Sequence, residues 1–461
     1  MAEWIQSNER EKYDKQVKWC DLPSPALEMI YSFVSREDQV NLSLVCRKWS
    51  EGFGSPSVWK TFRFTLTESQ LSMEMCPVMK FVRKYSSMFR HLEIHLFILN
   101  EHLLYTWNRR FIEFLKLLTS NSQLISVKFQ GLLWCFVDID TPTYADIFRA
   151  IANFLGSQHH LKRVEFRQCL FGYQEGVKLL KNLTENTGGS LTHLVLRGFH
   201  RDEPQDEGQH SNRTQNLPTF VDLPSLTTLE IDYSFIFENM FTRQSAVIET
   251  SKNFQTRILL KIIIFVYDFI KVEGSQRLTT SDWTFLKQLY RNLQVEVNFE
   301  TISPSRQRAE FFIVPYMPIT QLNYDFTHYS FTHANHSSLM EIDALCNHLL
   351  ACKTNDHLVS LGLKWVLPIP DLSSSLLPFL HACKKLKRFE LFIASDNRID
   401  VLLESLLENR PESLERVLLN FSGREDEDRT ASMILATKYV PLLESVGLNL
   451  RVDFNFRKTI I

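Results

Sequence analysis

Glycine is scarce in this sequence, and the short motifs of several enzyme classes are absent. Only 14 of the 461 residues are Gly, and no GxxxxGK, HExxH or GxSxG pattern occurs. Those patterns supply, in turn, a phosphate cradle, two zinc ligands and a serine nucleophile. Their absence predicts a protein that is not an enzyme, with no catalytic residue and no cofactor.

Paired cysteines are also missing, because the eight Cys residues are scattered and form no CxxC pair. We therefore expect reduced thiols rather than disulfides.

Two groups lie close enough in sequence to be compared with a metal site: His328, His333 and His336, and Cys346, His348 and Cys352. The first falls in a polar loop or strand edge, and in the second, on a helix, positions 346 and 348 point apart. Neither group predicts a metal site.

The sequence lacks a charge imbalance and a long hydrophobic run. Its 51 basic and 53 acidic residues give a net charge of −2, which provides no general attraction to nucleic acid or anionic membranes. The longest apolar stretch, at 258–270, is too short to span a bilayer. No basic start followed by an apolar run marks a signal peptide. We expect a soluble intracellular protein, in the cytoplasm, the nucleus or both.

Residues 19–63, behind a polar segment at 1–18, contain a dense series of apolar and aromatic residues. Ser24 followed by Pro25 predicts a first helix with Ser24 as its N-cap, and Ser35 with Asp38 predicts a second helix start. Helical spacing defines the apolar faces of the first and third predicted helices. These faces are Leu27, Ile30, Tyr31 and Val34, and Leu42, Val45, Cys46, Trp49 and Phe53; Trp59 and Phe62 close the segment.

A segment of this length cannot enclose all of those side chains in a core of its own. A domain of roughly 45 residues buries too small a fraction of its surface. Three short helices therefore leave an apolar surface that a partner would cover. Periodicity alone leaves a second interpretation open, in which the segment is a helical cap on the domain that follows.

The order of residue types in this segment resembles the F-box almost position by position. The matching residues are Leu22-Pro23, Leu27, Ile30, Val34, Asp38, Leu44-Val45-Cys46-Arg47-Lys48-Trp49 and Val58-Trp59-Lys60. The resemblance implies binding to a Skp-type adaptor of a cullin–RING ubiquitin ligase. The adaptor-binding residues that it implies are Leu22, Pro23, Leu27, Ile30, Val34, Leu42, Val45, Cys46, Trp49 and Trp59.

One phrase returns from about residue 89 onward: a large apolar residue, two variable residues, an apolar residue, a variable one and a final apolar one. Clear copies begin at Leu124, Leu161, Leu191, Leu226, Leu358, Leu386, Leu414 and Leu443; weaker copies lie near 89–94, 259–264, 293–299 and 319–324. The alternation at the end of each phrase predicts a strand with one buried face. Helix-like runs lie between the copies, for example at 105–118 and 339–350.

A strand and a helix repeated about a dozen times are typical of a leucine-rich-repeat solenoid. One unit carries the fuller signature, with Cys169 in the slot that takes Asn or Cys; its residues are Leu161, Val164, Phe166, Cys169 and Phe171. The alternative, a doubly wound α/β domain, predicts no fixed phrase at every strand.

The expected fold class is therefore α/β. We expect a three-helix F-box at 19–63, a linker helix region at 64–88, and about twelve degenerate leucine-rich repeats at 89–461. Their strands are expected to form a curved, mainly parallel sheet.

The variable positions of each phrase point away from the core, onto one face of that sheet. The candidate substrate-binding residues there are Lys128, Arg163, Arg167, Arg197, Lys364, Arg388 and Arg416. Between Lys128 and Arg197 the basic residues on this face outnumber the acidic ones, so this part could bind an acidic or phosphorylated segment. A solvated strand face explains the same residues. The acidic stretches at 201–207 and 424–429 are interpreted as solvated loops.

An F-box followed by irregular leucine-rich repeats resembles the substrate receptors of Skp–cullin–F-box ligases, which position a target and perform no chemistry. The implied partners are a Skp-type adaptor, cullin and RING subunits bound through it, and an unknown protein substrate, with no nucleic acid and no membrane. An alternative is a scaffold that binds partners without directing ubiquitination.

A finer likeness, to the subgroup of F-box only proteins thirty-three and thirty-nine, lies in Phe81-Val-Arg-Lys-Tyr85, Leu293-Gln-Val-Glu-Val-Asn-Phe299 and Cys383-Lys-Lys-Leu-Lys387.

Overall fold

The computed structural model describes twelve stretches of the chain. They are residues 19–96, 101–136, 139–201, 217–234, 236–241, 259–267, 277–301, 305–326, 341–365, 372–394, 399–422 and 426–454. The chain forms two compact units, Met1–Arg163 and Val164–Ile461. The boundary between these units, at Arg163, differs from the predicted domain limits at residues 63 and 88. The predicted domain limits stay a prediction. The predicted polar segment at 1–18 lies outside the described residues.

Thirteen strands occur in the described part of the chain, and with the preceding helices they confirm the α/β fold class. They are β1 (Thr61–Phe64), β2 (His91–His95), β3 (Ser126–Gln130), β4 (Arg163–Arg167), β5 (His193–Arg197), β6 (Thr228–Asp232), β7 (Lys261–Tyr267), β8 (Gln294–Thr301), β9 (Ile319–Phe326), β10 (Ser360–Trp365), β11 (Arg388–Ala394), β12 (Arg416–Ser422) and β13 (Asn449–Phe454). Parallel pairing joins β1 to β2 and β2 to β3 in the first unit, and each strand to the next from β5 to β13 in the second. Parallel pairing requires a crossover connection, which is commonly a helix.

The helices are α1 (Ser24–Phe33), α2 (Arg36–Ser43), α3 (Arg47–Phe53), α4 (Pro56–Trp59), α5 (Glu68–Ser72), α6 (Pro77–Tyr85), α7 (Glu101–Asn121), α8 (Leu133–Phe136), α9 (Thr141–Gly156), α10 (Tyr173–Thr187), α11 (Thr280–Leu289), α12 (Arg306–Phe312), α13 (Ile342–Ala351), α14 (Leu372–Ala382), α15 (Ile399–Glu408) and α16 (Asp426–Ser445). Residues 236–241 are also helical. Across the described ranges, no helix combines the length and apolarity that crossing a membrane requires.

β1 begins the sheet of the first unit, one strand earlier than expected. It pairs in parallel with β2, so that Phe62 lies beside Leu92. Phe62 and Phe64 are buried, and with Trp59 they repeat the spacing of the later phrases. The sequence pattern does not predict this strand, because its phrase overlaps the end of the F-box segment and the same residues also fit a helical module.

Most predicted phrases of the second unit coincide with strands, but the last one is displaced. The phrase that begins at Leu443 predicts a strand over 445–448, whereas β13 begins at Asn449. Leu443 is buried within α16, and Gly447, with a φ of +81°, follows the end of that helix. The prediction is wrong because a left-handed Gly is a common helix stop, and here the strand begins four residues later.

The turn after β4, which contains the Asn/Cys slot of the fuller repeat signature, stacks against the turn after β5. All five signature residues from Leu161 to Phe171 are buried, as the repeat pattern predicts. The backbone N–H of Cys169 donates to the carbonyl oxygen of Gly198 at 2.8 Å, so successive turns stack. A Cβ at Gly198, where φ is +55°, would lie 3.0 Å from Cα of Gln168. Glycine permits this close approach.

Candidate adaptor-binding surface

The first two helices begin close to their predicted starts. Pro23, with no side-chain hydrogen bond, is the N-cap of α1, and Pro25 lies in its first turn. The assignment of Ser24 as N-cap is therefore wrong by one residue. The Ser35 hydroxyl accepts a hydrogen bond from the backbone N–H of Asp38 at 3.2 Å and donates one to its carboxylate at 2.7 Å. These bonds confirm the second predicted helix start.

The predicted third helix is broken into two. α2 ends before Leu44, and α3 begins after Cys46, whose backbone is extended. The spacing of apolar residues fits one continuous helix, but it does not encode this break. The break lets Trp49 turn into the interior while Leu44 and Val45 remain exposed in the connection.

A small core holds these helices together. The rings of Tyr31 and Trp49 meet edge to face with centroids 6.0 Å apart, and the Tyr31 hydroxyl donates to the Trp49 carbonyl oxygen at 2.8 Å. The buried amide of Gln39 donates to the carbonyl oxygen of Tyr31 at 2.6 Å. Leu27 is only 1% exposed, and a Cβ at Gly52 would lie in ordinary van der Waals contact with it, 3.5 Å from the Leu27 Cβ. This core uses one face of α1.

The other face of α1 is apolar too, and it is exposed. The Phe33 side chain is 82% exposed, and Met29 is exposed one turn before it. Val40 on α2 and Val45 after it are also exposed, and Leu44 is 80% exposed. A helix with apolar side chains on opposite faces is typical of one that is covered on both sides. We name Met29, Phe33, Val40, Leu44 and Val45 the exposed apolar set.

The predicted adaptor-binding residues separate into surface and interior positions. Pro23 and Val45 are exposed, and the half-buried members are Leu22, Ile30, Val34, Leu42 and Cys46. Leu27, Trp49 and Trp59 are buried. Their side chains pack the module from inside, so direct contact with an adaptor is not available to them in this conformation. Adaptor binding by the predicted residues stays a prediction.

The predicted adaptor-binding residues do not include five large apolar side chains of the module that are exposed. They are Trp19, Met29, Phe33, Val40 and Leu44. The signal for two of them was present, because Met29 and Phe33 are spaced by four residues on a helix that already carries Leu27 and Tyr31. A search for a single amphipathic face selects the buried stripe and discards the second one.

Comparison with known families decides what this helical module is. The F-box domain family matches residues 19–61. The module is an F-box domain. The matched segment ends at the first residue of β1, and the predicted limit of 63 lies two residues beyond it.

The curated relatives match this chain over a stretch somewhat longer than the F-box domain. F-box/LRR-repeat protein 21 of Bos taurus and that of Mus musculus are each 35% identical over 54 residues. F-box/LRR-repeat protein 21 of Ovis aries is 32% identical over 57 residues. The chain spans about an eighth of the length of these relatives, 12% or 13% of each, and the matched part is 12% of this chain.

Two of the predicted substrate-binding arginines, Arg167 and Arg197, form ion pairs with carboxylates of the same sheet. Arg167 makes two parallel hydrogen bonds of 2.9 Å to Glu230 and a third of 2.9 Å to Glu165. Arg197 lies 3.4 Å from the centroid of the Phe265 ring. It also lies 3.9 Å from both Glu230 and Asp232. These ion pairs neutralise the charge on this part of the sheet, so it does not present the basic patch that the sequence suggested.

The other candidate substrate-binding residues differ in their surroundings. Lys364 Nζ lies 3.0 Å from Asp325 Oδ2. Arg388 and Arg416 are exposed neighbours in register on β11 and β12, and neither forms an ion pair among the described residues. In the first unit, Lys128 is half-buried on β3 and Arg163 is exposed at the start of β4. Substrate binding by any of them stays a prediction.

Of the two groups compared with a metal site, one can be described. His328, His333 and His336 lie outside the described residues. Cys352 Sγ lies 3.5 Å from His348 Nε2, whereas Cys346 is buried separately, and burial raises the pKa of Cys352 to about 11. A thiol with that pKa is a poor source of the thiolate that metals bind. Within the described ranges, no three His, Cys, Asp or Glu side chains form a metal-binding group.

Asp232 makes the stability of the second unit dependent on pH. Burial raises the pKa of its carboxyl to about 6 from an ordinary value of 3.8, against the opposing effects of the Gly198 N–H and the Arg197 guanidinium. Folding therefore favours the protonated acid, and keeping the ionised form at pH 7 costs roughly 3 kcal/mol. This cost disappears as the pH falls through 6 toward 4.

We expect Asp232→Asn to be more stable than the wild type at pH 7, with an advantage that shrinks as the pH falls below 6. In the wild type the Gly198 N–H donates a hydrogen bond to the Asp232 carboxylate. The Asn amide oxygen can accept the same bond, and the substitution removes the ionisable group. Denaturant unfolding of both proteins at pH 7 and pH 5 measures the difference. An advantage that is constant between the two pH values contradicts the proposed titration.

Proposed function

We propose that this protein is the substrate-recognition subunit of a Skp–cullin–F-box ubiquitin ligase. The observation that supports it best is an F-box domain whose exposed apolar set has no cover among the described residues. Five exposed large apolar side chains on so small a module constitute a surface that water solvates poorly. A Skp-type adaptor is the partner that the F-box implies, and the cullin and RING subunits would join through it.

In this proposal the chain is a non-catalytic receptor. The parallel strand–helix units hold the target, and the ligase supplies the ubiquitin-charged enzyme, so that the receptor contributes proximity and orientation. The finer placement beside F-box only proteins thirty-three and thirty-nine, and a cytoplasmic or nuclear location, belong to the same proposal. The three short phrases that carry the finer likeness support it.

The solvent-facing strand positions are the proposed substrate surface. Arg388 and Arg416 support it best, because two like charges side by side on adjacent strands repel each other. A carboxylate or phosphate on the substrate would relieve that repulsion and accept hydrogen bonds from both guanidinium groups. Lys364, Lys128 and Arg163 would contribute at other strands. Arg167 and Arg197, already paired with carboxylates, would shape the surface rather than supply charge.

Measuring the half-lives of bound proteins tests ligase function against the scaffold alternative. Cells express the wild type or a variant with Phe33→Glu and Leu44→Glu, and proximity labelling identifies the proteins near each. We expect at least one protein labelled by both forms to persist severalfold longer with the variant. If every such protein has the same half-life with both forms while the wild type binds the adaptor, the chain is a scaffold and the receptor proposal fails.

A further inference from the structure

A cleft between α7 and α9 of the first unit has a buried amide on its lining that lacks hydrogen-bond partners. The cleft has a volume of about 390 Å³, and its lining includes Tyr105, Asn108, Arg109, Ile112, Lys116 and Thr143. The α7 residues follow one another at helical spacing, on a stripe separate from the buried stripe of Trp107, Phe111 and Phe114. The cleft takes no part in the F-box surface or in the strand face considered above.

Asn108 is the residue that points to a ligand. It is 1% exposed, and among the described residues neither its Nδ2 nor its Oδ1 has a hydrogen-bond partner. Buried side-chain amides nearly always have partners, because an unpaired donor or acceptor keeps the full cost of leaving water. An amide offers two donor hydrogens and an acceptor together, and a peptide group offers the complementary acceptor and donor. Asn108 is therefore built to pair with the backbone of an extended peptide.

The charges around the cleft select the kind of peptide. Its acidic residues are already engaged: Glu113 lies 3.4 Å from Arg110, and Asp146 lies 3.0 Å from Arg149. Arg109 and Lys116 are exposed and form no ion pair in the described part of the chain. The cleft therefore presents two free cations, one close to Asn108 and the other about two turns further along α7.

We propose that the cleft between α7 and α9 binds an extended acidic peptide segment of a partner protein. Asn108 exchanges hydrogen bonds with one peptide group, Arg109 pairs with a carboxylate beside that group, and Lys116 pairs with a second carboxylate about two turns further along α7. Because Asn108 is covered, the peptide reaches it only when a neighbouring side chain turns aside. This inference does not depend on adaptor binding.

A library of photo-crosslinkable octapeptides tests the proposal on the full chain. One half of the library is rich in Glu and Asp, and the other half is rich in Lys and Arg; mass spectrometry locates the crosslinked residues. We expect the acidic half to label α7 and α9 of the wild type, and Asn108→Leu to reduce that labelling roughly tenfold. The Arg109→Ala and Lys116→Ala double variant should show a similar loss. The Lys384→Ala and Lys385→Ala double variant, which loses the same charge at exposed positions outside both proposed binding surfaces, should keep the labelling.

Three results would overturn the proposal: no labelling of these helices in the wild type, equal labelling by the basic half, or undiminished labelling of Asn108→Leu. The unfolding temperature of Asn108→Leu should equal or exceed that of the wild type, because the substitution removes an unpaired amide. If that variant fails to fold, the two surface substitutions on α7 still decide the outcome, since both side chains are exposed.

Discussion

Replacing Phe33 and Leu44 by Glu should abolish binding of a Skp-type adaptor while leaving the protein folded. Both side chains are more than three-quarters exposed, at 82% and 80%, so their removal leaves the core around Tyr31 and Trp49 intact. At an interface, losing two central apolar anchors and burying two carboxylates should weaken binding by at least about a hundredfold. Titration of purified adaptor against the variant and the wild type measures the change in Kd.

Two exposed apolar residues on α16 provide a control for the added charge. Ile434 and Leu442 are exposed, and replacing both by Glu adds the same charge without touching the F-box. This control should bind the adaptor with the wild-type Kd. Wild-type affinity in the Phe33 and Leu44 variant, at an unchanged unfolding temperature, would show that the exposed apolar set is not the adaptor-binding surface.

Truncating Trp59 should cause the largest loss of stability of any single substitution in the F-box. Its ring lies 4.8 Å from that of Phe53, 4.5 Å from that of Phe81 and 5.4 Å from that of Tyr85, and the Arg36 guanidinium lies 4.5 Å above it. The indole N–H donates to the Phe53 carbonyl oxygen. Trp59→Ala should therefore lower the free energy of unfolding by about 3–5 kcal/mol, as measured by denaturant unfolding.

The position of Trp59 explains why its loss should affect more than the F-box. Phe53 belongs to α3, whereas Phe81 and Tyr85 belong to α6 beyond β1. The single ring therefore packs the F-box helices against the start of the strand–helix fold. Trp134→Ala is the control, because Trp134 in the same unit is exposed and should change stability by less than about 1 kcal/mol. Equal losses for the two variants would contradict this packing role.

The sequence predicted the fold well wherever one residue spacing determined one structure. The phrases at Leu161, Leu191 and Leu386 each mark a strand because alternation of apolar residues allows only one buried face. The same phrase at Trp59 was hidden by its overlap with the F-box. The phrase at Leu443 failed because Gly447 ends a helix there, and turn geometry competes with apolar spacing.

The functional surfaces were harder to predict because they consist of the side chains that stay exposed, and the charges that stay unpaired, once the chain has folded. Spacing along α1 identifies apolar residues, but it does not say that Leu27 faces the core and Phe33 faces solvent. In the same way, a count of charges along the strands suggested a basic patch at Arg167 and Arg197. The carboxylates of Glu230 and Asp232, which neutralise them, come from a strand more than thirty residues away in sequence.

Co-purification of the full chain with a Skp-type adaptor tests the central claim most directly. The two proteins are expressed together, separated by size-exclusion chromatography, and weighed by native mass spectrometry. The account predicts a one-to-one complex that persists at high salt, because apolar contacts such as those of the exposed apolar set are not screened by ions. Elution of the folded chain without adaptor, under conditions where a known F-box protein retains it, would contradict the account.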